Sequence, residues 1–488
     1  MSEAKKKRSM YAVHFAIMVL IPVVFSFLPC PGVVTPYGMK VLGVFVSLVY
    51  GWTFINLLLP SLFGAVALAL TGYGSVQDVF LAMFANSTVL MMMFGVLAFA
   101  AVEQTGAGDW MIAKLLGSSL AKKSPVFVIE IFFVIFILGN IFGLVWFLYF
   151  ALLPLMYKML TKCGYGKGDK FNALFLCGCL MFGQIGMSIF PFLGWSLMTA
   201  GTMTALTQVP VATNAYMAMM VLLIVVGMIT YPFFMKLMGC DFSKLADVDV
   251  EATFGAAMKS EGGKLTQAQS LAIWSVVIFV ILVVLASMLG AKVPALGWLN
   301  TTVGVLGLMI LLWLFVCAMK VDGKPLLDMG KAAAGFSWDM LILIAVALLV
   351  SNALTATETG ISAFIAGILG PVFAGLHPLV FLLAIGAITI VLTNVSNNIA
   401  ICFIMINIVA SMYNSGFSVN ITAAALVISV TSVFVAYLTP AASMPGALMH
   451  AATEVNTSST LYKMVSAMMV YGFLLLAIIV VPYVLFLS

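Results

Sequence analysis

The chain has 488 residues, 64% of them hydrophobic and only 8% charged, with a formal net charge of +5. Soluble domains carry about a quarter charged residues, so a chain this apolar has lipid as most of its solvent. A cationic surplus of this size does not indicate nucleic-acid binding, and what matters is where the lysines fall.

In chain order, Lys5, Lys6, Lys7 and Arg8 precede an apolar run at residues 11–28. The run is long and no small-residue cleavage site follows, so a retained first helix is expected rather than a removed leader. Residues 271–289, 303–319, 341–354 and 461–487 form further apolar stretches, most of them near the ~20 residues that cross a hydrocarbon core. None alternates polar and apolar residues, which argues against a membrane barrel. The expected fold is an all-α polytopic membrane protein with about eleven transmembrane helices and two re-entrant hairpins, in two inverted repeats.

With the N-terminus placed on the cytoplasmic side, every Lys and Arg except Lys40 and Lys292 falls inside, where such residues collect. The C-terminus is then outside, in a cytoplasmic membrane. This holds only if residues 125–162 enter and leave on one side, because Lys122, Lys123, Lys158 and Lys162 flank them. A hairpin is therefore expected there, and non-helical backbone at such depth survives only inside protein or beside a cavity.

The polar stretch at residues 240–269 divides the chain. Before it, Glu103-Gln104-Thr105-Gly106 resembles Glu358-Thr359-Gly360 after it. An offset of 253 carries Gly117 to Gly370, Pro125 to Pro378, Gly143 to Ser396 and Pro154 to Asn407 without a gap. The expected organisation is a tail and first helix at 1–37, a first repeat at 38–239, a cytoplasmic linker at 240–269 and a second repeat at 270–488, with hairpins at 125–162 and 378–412. Weak internal repeats of this kind mark secondary transporters, whose sites lie at broken helices near the midplane. Chance similarity of apolar segments is the bland alternative.

Inside the second hairpin, Thr393-Asn394-Val395-Ser396-Asn397-Asn398 interrupts an apolar run. Adjacent amides and hydroxyls at depth are costly without partners, which makes the cluster a candidate site rather than mere helix packing. Amides opening a second half-helix suit a carboxylate, and carbonyls closing the first suit Na⁺. A second break lies at residues 437–446, with Thr439, Pro440, Ser443, Pro445 and Gly446. Its first-half counterpart covers residues 183–191, including Gln184, Gly186, Ser188 and Pro191. A proline kink without binding is the alternative for each.

These features resemble the divalent-anion/sodium symporter family of the ion-transporter superfamily, over nearly the whole chain from about Met39. Ser396-Asn397-Asn398 stands where that family carries Ser-Asn-Thr, Leu438-Thr439-Pro440 to Pro445-Gly446 resembles its broken helix, and Trp52-Thr53 its early Trp-x-Thr segment. The resemblance implies a Na⁺-coupled carrier of di- or monocarboxylates, an elevator-type mechanism and a homodimer. It implies substrate contacts from Ser396, Asn397, Asn398, Thr439, Pro440, Ser443, Asn140 and Trp146. It places sodium among Asn394, Ser396, Asn397, Ala436, Thr439, Gly186 and Ser188, chiefly at the second hairpin. The first tip departs from the pattern: Gly143-Leu144-Val145 replaces Ser-Asn-Thr, so half of a symmetric carboxylate cradle is missing or rebuilt by Gln184 and Ser188.

No phosphate-binding loop is present, so an ion gradient rather than ATP is the expected energy source. No cofactor is expected. Cys177 and Cys179 lack partners for a metal site, and the three histidines, His14, His377 and His450, show no ligand spacing. Glu103, Glu130, Asp339 and Glu358 read as boundary residues. An anion exchanger, a proton-coupled permease and a non-transporting receptor on a degenerate transporter are the alternatives. An intramembrane enzyme lacks its catalytic residues here.

Overall fold

The computed structural model describes residues 3–116, 123–145, 148–245, 264–336, 338–373, 377–395, 397–440 and 442–486. Among these, the only strands are Lys320–Val321 and Lys324–Pro325, paired antiparallel across Asp322 and Gly323, both at positive φ as a tight hairpin turn requires. The rest of the regular structure is helical. Among the described residues, ten helices are long and apolar enough to span a membrane, and an eleventh span arises if Leu58–Tyr73 and Val76–Phe84, bent by 117°, count as one.

Position in the bundle follows composition. Lys170–Met187, with Gly, Cys, Asn and Gln among its residues, has a mean hydropathy of only 1.3 yet is 89% buried. Gln267–Leu289 reaches 2.9 and is 33% buried. Helices that face lipid must be apolar all round, whereas central ones need small and polar residues where helices meet. The centre is formed by Lys170–Met187, packed on Pro125–Ile141 and Ser458–Phe486, and by Ile421–Thr431, packed on Gly194–Thr207 and Pro378–Val395. All of Ile421–Thr431 is buried.

Both halves present the same order of elements. In the first, the Pro125–Ile141 helix opens on its proline, with Ser124 capping Val126 N. The chain then turns at Gly143, whose φ is +77°, while Leu144 N donates to Gly139 O at 2.7 Å. Leu153–Lys162 follows, then Lys170–Met187, a break, and Gly194–Thr207. In the second, Pro378–Val395 and Asn398–Asn414 precede Ile421–Thr431, a break and Met444–Ala451.

The glycines of the repeated Glu-Thr-Gly stretch agree as well: Gly106 and Gly360 both have φ of +68°. They sit in different surroundings. Gly106 O accepts from Gln269 Nε2, and neighbouring Gln104 bonds Asp328. Thr359 O instead accepts from Thr35 N. The linker is described only at its ends. At the far end Thr266 and Gln269 form a capping box on a helix that begins at Gln267.

Candidate transport site

The second hairpin tip and the second break are fastened together. Asn394 is fully buried at the end of Pro378–Val395. Its Nδ2 donates to Ile390 O at 2.8 Å, and its Oδ1 accepts from Tyr437 N at 3.1 Å and Leu438 N at 2.9 Å. Its carbonyl accepts from Thr439 Oγ1 at 2.9 Å. Asn398 N donates to Ala442 O at 3.0 Å. An unwound segment in an apolar interior has backbone groups to satisfy, and Asn394 satisfies two of its amides.

Asn397 caps Asn398–Asn414, its Oδ1 accepting from Ile399 N at 2.9 Å and Ala400 N at 3.3 Å. The first-turn amides that suit a carboxylate are thus already engaged within the protein. Among the described residues, Asn397 Nδ2 and the Asn398 side-chain amide have no hydrogen-bond partner, and both residues are half-buried. They are the donors the tip presents. Ser443 caps Met444–Ala451 by accepting from Gly446 N at 3.0 Å, and its hydroxyl donates to Ala436 O. Pro440 is exposed. Ser396 and Trp146 lie outside the described residues.

The first half meets differently. Gly183 and Gly186 let Lys170–Met187 approach Pro125–Ile141 closely: a Cβ on Gly186 would lie 2.7 Å from Ile137 O, and one on Gly183 2.7 Å from Asn140 Nδ2. Asn140 Nδ2 donates to Phe136 O at 2.9 Å, and Gln184 Nε2 donates to the Tyr149 hydroxyl at 2.9 Å. The Ser188 carbonyl accepts from Ser196 Oγ. Asn140 Oδ1, Gln184 Oε1, Ser188 Oγ and the Tyr437 hydroxyl are all buried without a partner among the described residues. The offset of 253 that relates Pro125 to Pro378 also carries Gln184 to Tyr437. That equivalence was available in the sequence, although Tyr149 and Tyr437 gave no signal of their own. Buried oxygens lacking donors are the ligands a partly dehydrated cation or a substrate hydroxyl needs.

The model of the citrate transporter family matches residues 41–431. The chain belongs to the citrate transporter family. No curated protein matches it in sequence. Its fold is similar to that of the Alcanivorax borkumensis YdaH transporter, whose crystal structure is described as revealing an unusual topology. The match has 14% identity and a TM-score of 0.54, and covers 84% of this chain and 88% of that one. The citrate-transporter match spans residues 125–162 and 378–412 and ends with the helix before the second break, so Tyr437, Leu438, Thr439 and Ser443 lie beyond it.

Elsewhere this family member uses its polar residues structurally. Trp52 Nε1 donates to Ser61 Oγ at 2.9 Å, and the ring lies 6.2 Å from Phe403 in the second hairpin. His14 bonds the Tyr50 hydroxyl, and His377 Nδ1 accepts from Leu379 N. All seven cysteines are free, and among the described residues no three His, Cys, Asp or Glu side chains group to hold a metal.

Proposed function

We propose that this protein is a secondary active transporter of a small carboxylate, held at the second hairpin tip and its facing break. The observation that carries the reading is the meeting of Asn394, Asn397, Asn398, Thr439 and Ser443 at two helix interruptions, with amide donors left to spare. Backbone broken at depth is tolerated where it serves a site. The family match supports a carboxylate cargo.

Sodium is the proposed coupling ion. At the second tip it would share carbonyls such as those of Asn394 and Ala436, which already accept hydroxyl protons. The unpartnered oxygens of Asn140, Gln184, Ser188 and Tyr437 supply a second donor set on the first-half side. Proton coupling is the second reading, favoured by one observation: Glu130, in the first hairpin helix, has a buried Oε2 without a partner. Alternating access would move the hairpin-bearing parts against a fixed remainder in a homodimer, and a mass measurement in mild detergent that shows only monomer would count against the dimer.

Uptake of labelled citrate into proteoliposomes, driven by a sodium or a proton gradient, tests the assignment. Asn397→Ala is expected to bring uptake to background with the protein still folded, and Asn140→Ala to be milder. Unchanged uptake by Asn397→Ala would place the site elsewhere. Equal losses would show that the first half binds as strongly. Uptake that follows only the proton gradient, and is lost in Glu130→Gln, would replace sodium with the proton.

A further inference from the structure

Leu438, in the second break, is fastened from two sides. Its carbonyl accepts from His450 Nε2 at 3.0 Å, and because a carbonyl only accepts, Nε2 carries the proton. From the hairpin side, Leu438 N donates to Asn394 Oδ1 at 2.9 Å, and the next residue, Thr439, donates through Oγ1 to Asn394 O at 2.9 Å. In an unbroken helix Leu438 O would accept from Ala442 N, four residues on. Here Ala442 N donates to Thr439 O at 3.2 Å instead, and His450 supplies the donor that the break removes. The imidazole is itself held by two helices. It belongs to Met444–Ala451, whose start is fixed by Ser443 accepting from Gly446 N, and Tyr462 of Ser458–Phe486 lies against it with ring centroids 5.6 Å apart.

Fixing that carbonyl fixes the amide behind it. Leu438 O and Thr439 N–H belong to one peptide group, and a planar trans peptide points the two in opposite directions. With Leu438 O turned to His450, the Thr439 N–H is turned away from it, and it makes no hydrogen bond with a described residue. Pro440 follows and biases Thr439 towards extended backbone, so no helical carbonyl takes up this amide. Leu438 and Thr439 are half-buried rather than sealed, and Pro440 is exposed. Neither residues 393–398 nor residues 437–446 include a lysine or an arginine. A carboxylate held between them must therefore be met by neutral donors, and a backbone N–H is a strong one for an anion.

We infer that His450 is a positioning residue for the transport site: by holding Leu438 O it turns the Leu438–Thr439 peptide so that the Thr439 N–H is presented to the carboxylate of the cargo. This backbone donor adds to the side-chain amides of Asn397 and Asn398. The inference rests on the transport reading above and names two groups that the reading does not use. His450 itself touches no cargo and passes no proton; its part is to hold one peptide plane in place across an interruption where helical hydrogen bonding cannot.

Citrate uptake by the full chain in proteoliposomes, with KM and Vmax measured separately, tests this. His450→Phe keeps a ring and removes the donor; it is expected to raise KM about tenfold, the loss of one hydrogen bond to a charged group, with Vmax little changed. His450→Gln, whose side-chain amide can donate to Leu438 O, is expected to keep KM near that of the wild type. Replacing Thr439 by its α-hydroxy acid puts an ester oxygen where the N–H stood and alters no side chain. It should raise KM by a similar factor, and adding His450→Phe to it should cost little more. If His450→Phe fails to fold, the ester variant carries the test. A fall in Vmax at unchanged KM, a Gln variant as impaired as the Phe variant, or an ester variant with wild-type KM would each overturn the inference. If the wild type takes up none of a panel of carboxylates from acetate to citrate, the transport reading falls and this inference with it. Carboxylate uptake whose KM is indifferent to His450→Phe would sink this inference alone.

Discussion

Asn394 does more at this site than its neighbours in the polar cluster. One side chain closes a local bond to Ile390 O and accepts from two amides of the facing break, while its own carbonyl takes the Thr439 hydroxyl. Leaving a buried amide unsatisfied costs about 1–3 kcal/mol. Asn394→Leu is therefore expected to lower the unfolding free energy by roughly that amount per freed amide, with a matching fall in melting temperature and loss of uptake. Thr439→Ser keeps the hydroxyl and should behave much like wild type. An Asn394→Leu protein that melts with the wild type would remove the latch. That residues 393–398 are a candidate site was legible in the sequence, because amides at depth are costly. Which groups they would bond was not, since the partners are backbone atoms some forty residues away. His450 illustrates the same gap: ligand spacing gave it no role, yet it holds a carbonyl of the break.

The two broken helices differ in how they are held. The second is fastened by polar bonds from the hairpin tip, the first by close packing of Gly183 and Gly186 on Ile137 and Asn140. Gly186 stands among the sodium-binding positions implied by the family resemblance, and the structure gives it a packing duty in addition. A methyl group there would meet Ile137 Cα at 2.8 Å and Ile137 O at 2.7 Å, backbone atoms that cannot rotate away. Gly186→Ala is expected to cost about 1–3 kcal/mol through overpacking, read as a lower melting temperature in detergent. Wild-type stability would show that the hairpin and the first broken helix are not rigidly joined. The elements themselves were legible, since Pro125 and Pro378 open helices where proline at the first turn is tolerated. The packing contact was not, because a glycine in a helix signals either a weak point or a close approach.

For the molecule as a whole, the placement of lysines and the repeat make one joint claim: residues 125–162 return to the side from which they came. Cysteine replacements at Lys123 and Lys162, in a background without the native cysteines, are expected to label from the same side of intact vesicles. Labelling from opposite sides would make the segment a crossing and end the argument for inverted repeats. Gly106 and Gly360 share a left-handed φ, while their loops bond different partners, Gln269 in one case and Thr35 in the other.

Membrane class, helical content and the polar interruptions were all written in composition and order. Lipid cannot hydrogen-bond a backbone, so apolar length alone forces helices, and every polar residue at depth must have a reason. The saturation of each tip was decided in three dimensions. The second tip looks like the richer ion site in one dimension, yet Asn394 and Asn397 commit their oxygens to backbone amides, while the plainer first half keeps Asn140, Gln184 and Ser188 oxygens unpartnered among the described residues. A donor or acceptor is available only once its neighbours are known, and those neighbours are set by packing between segments far apart in the chain.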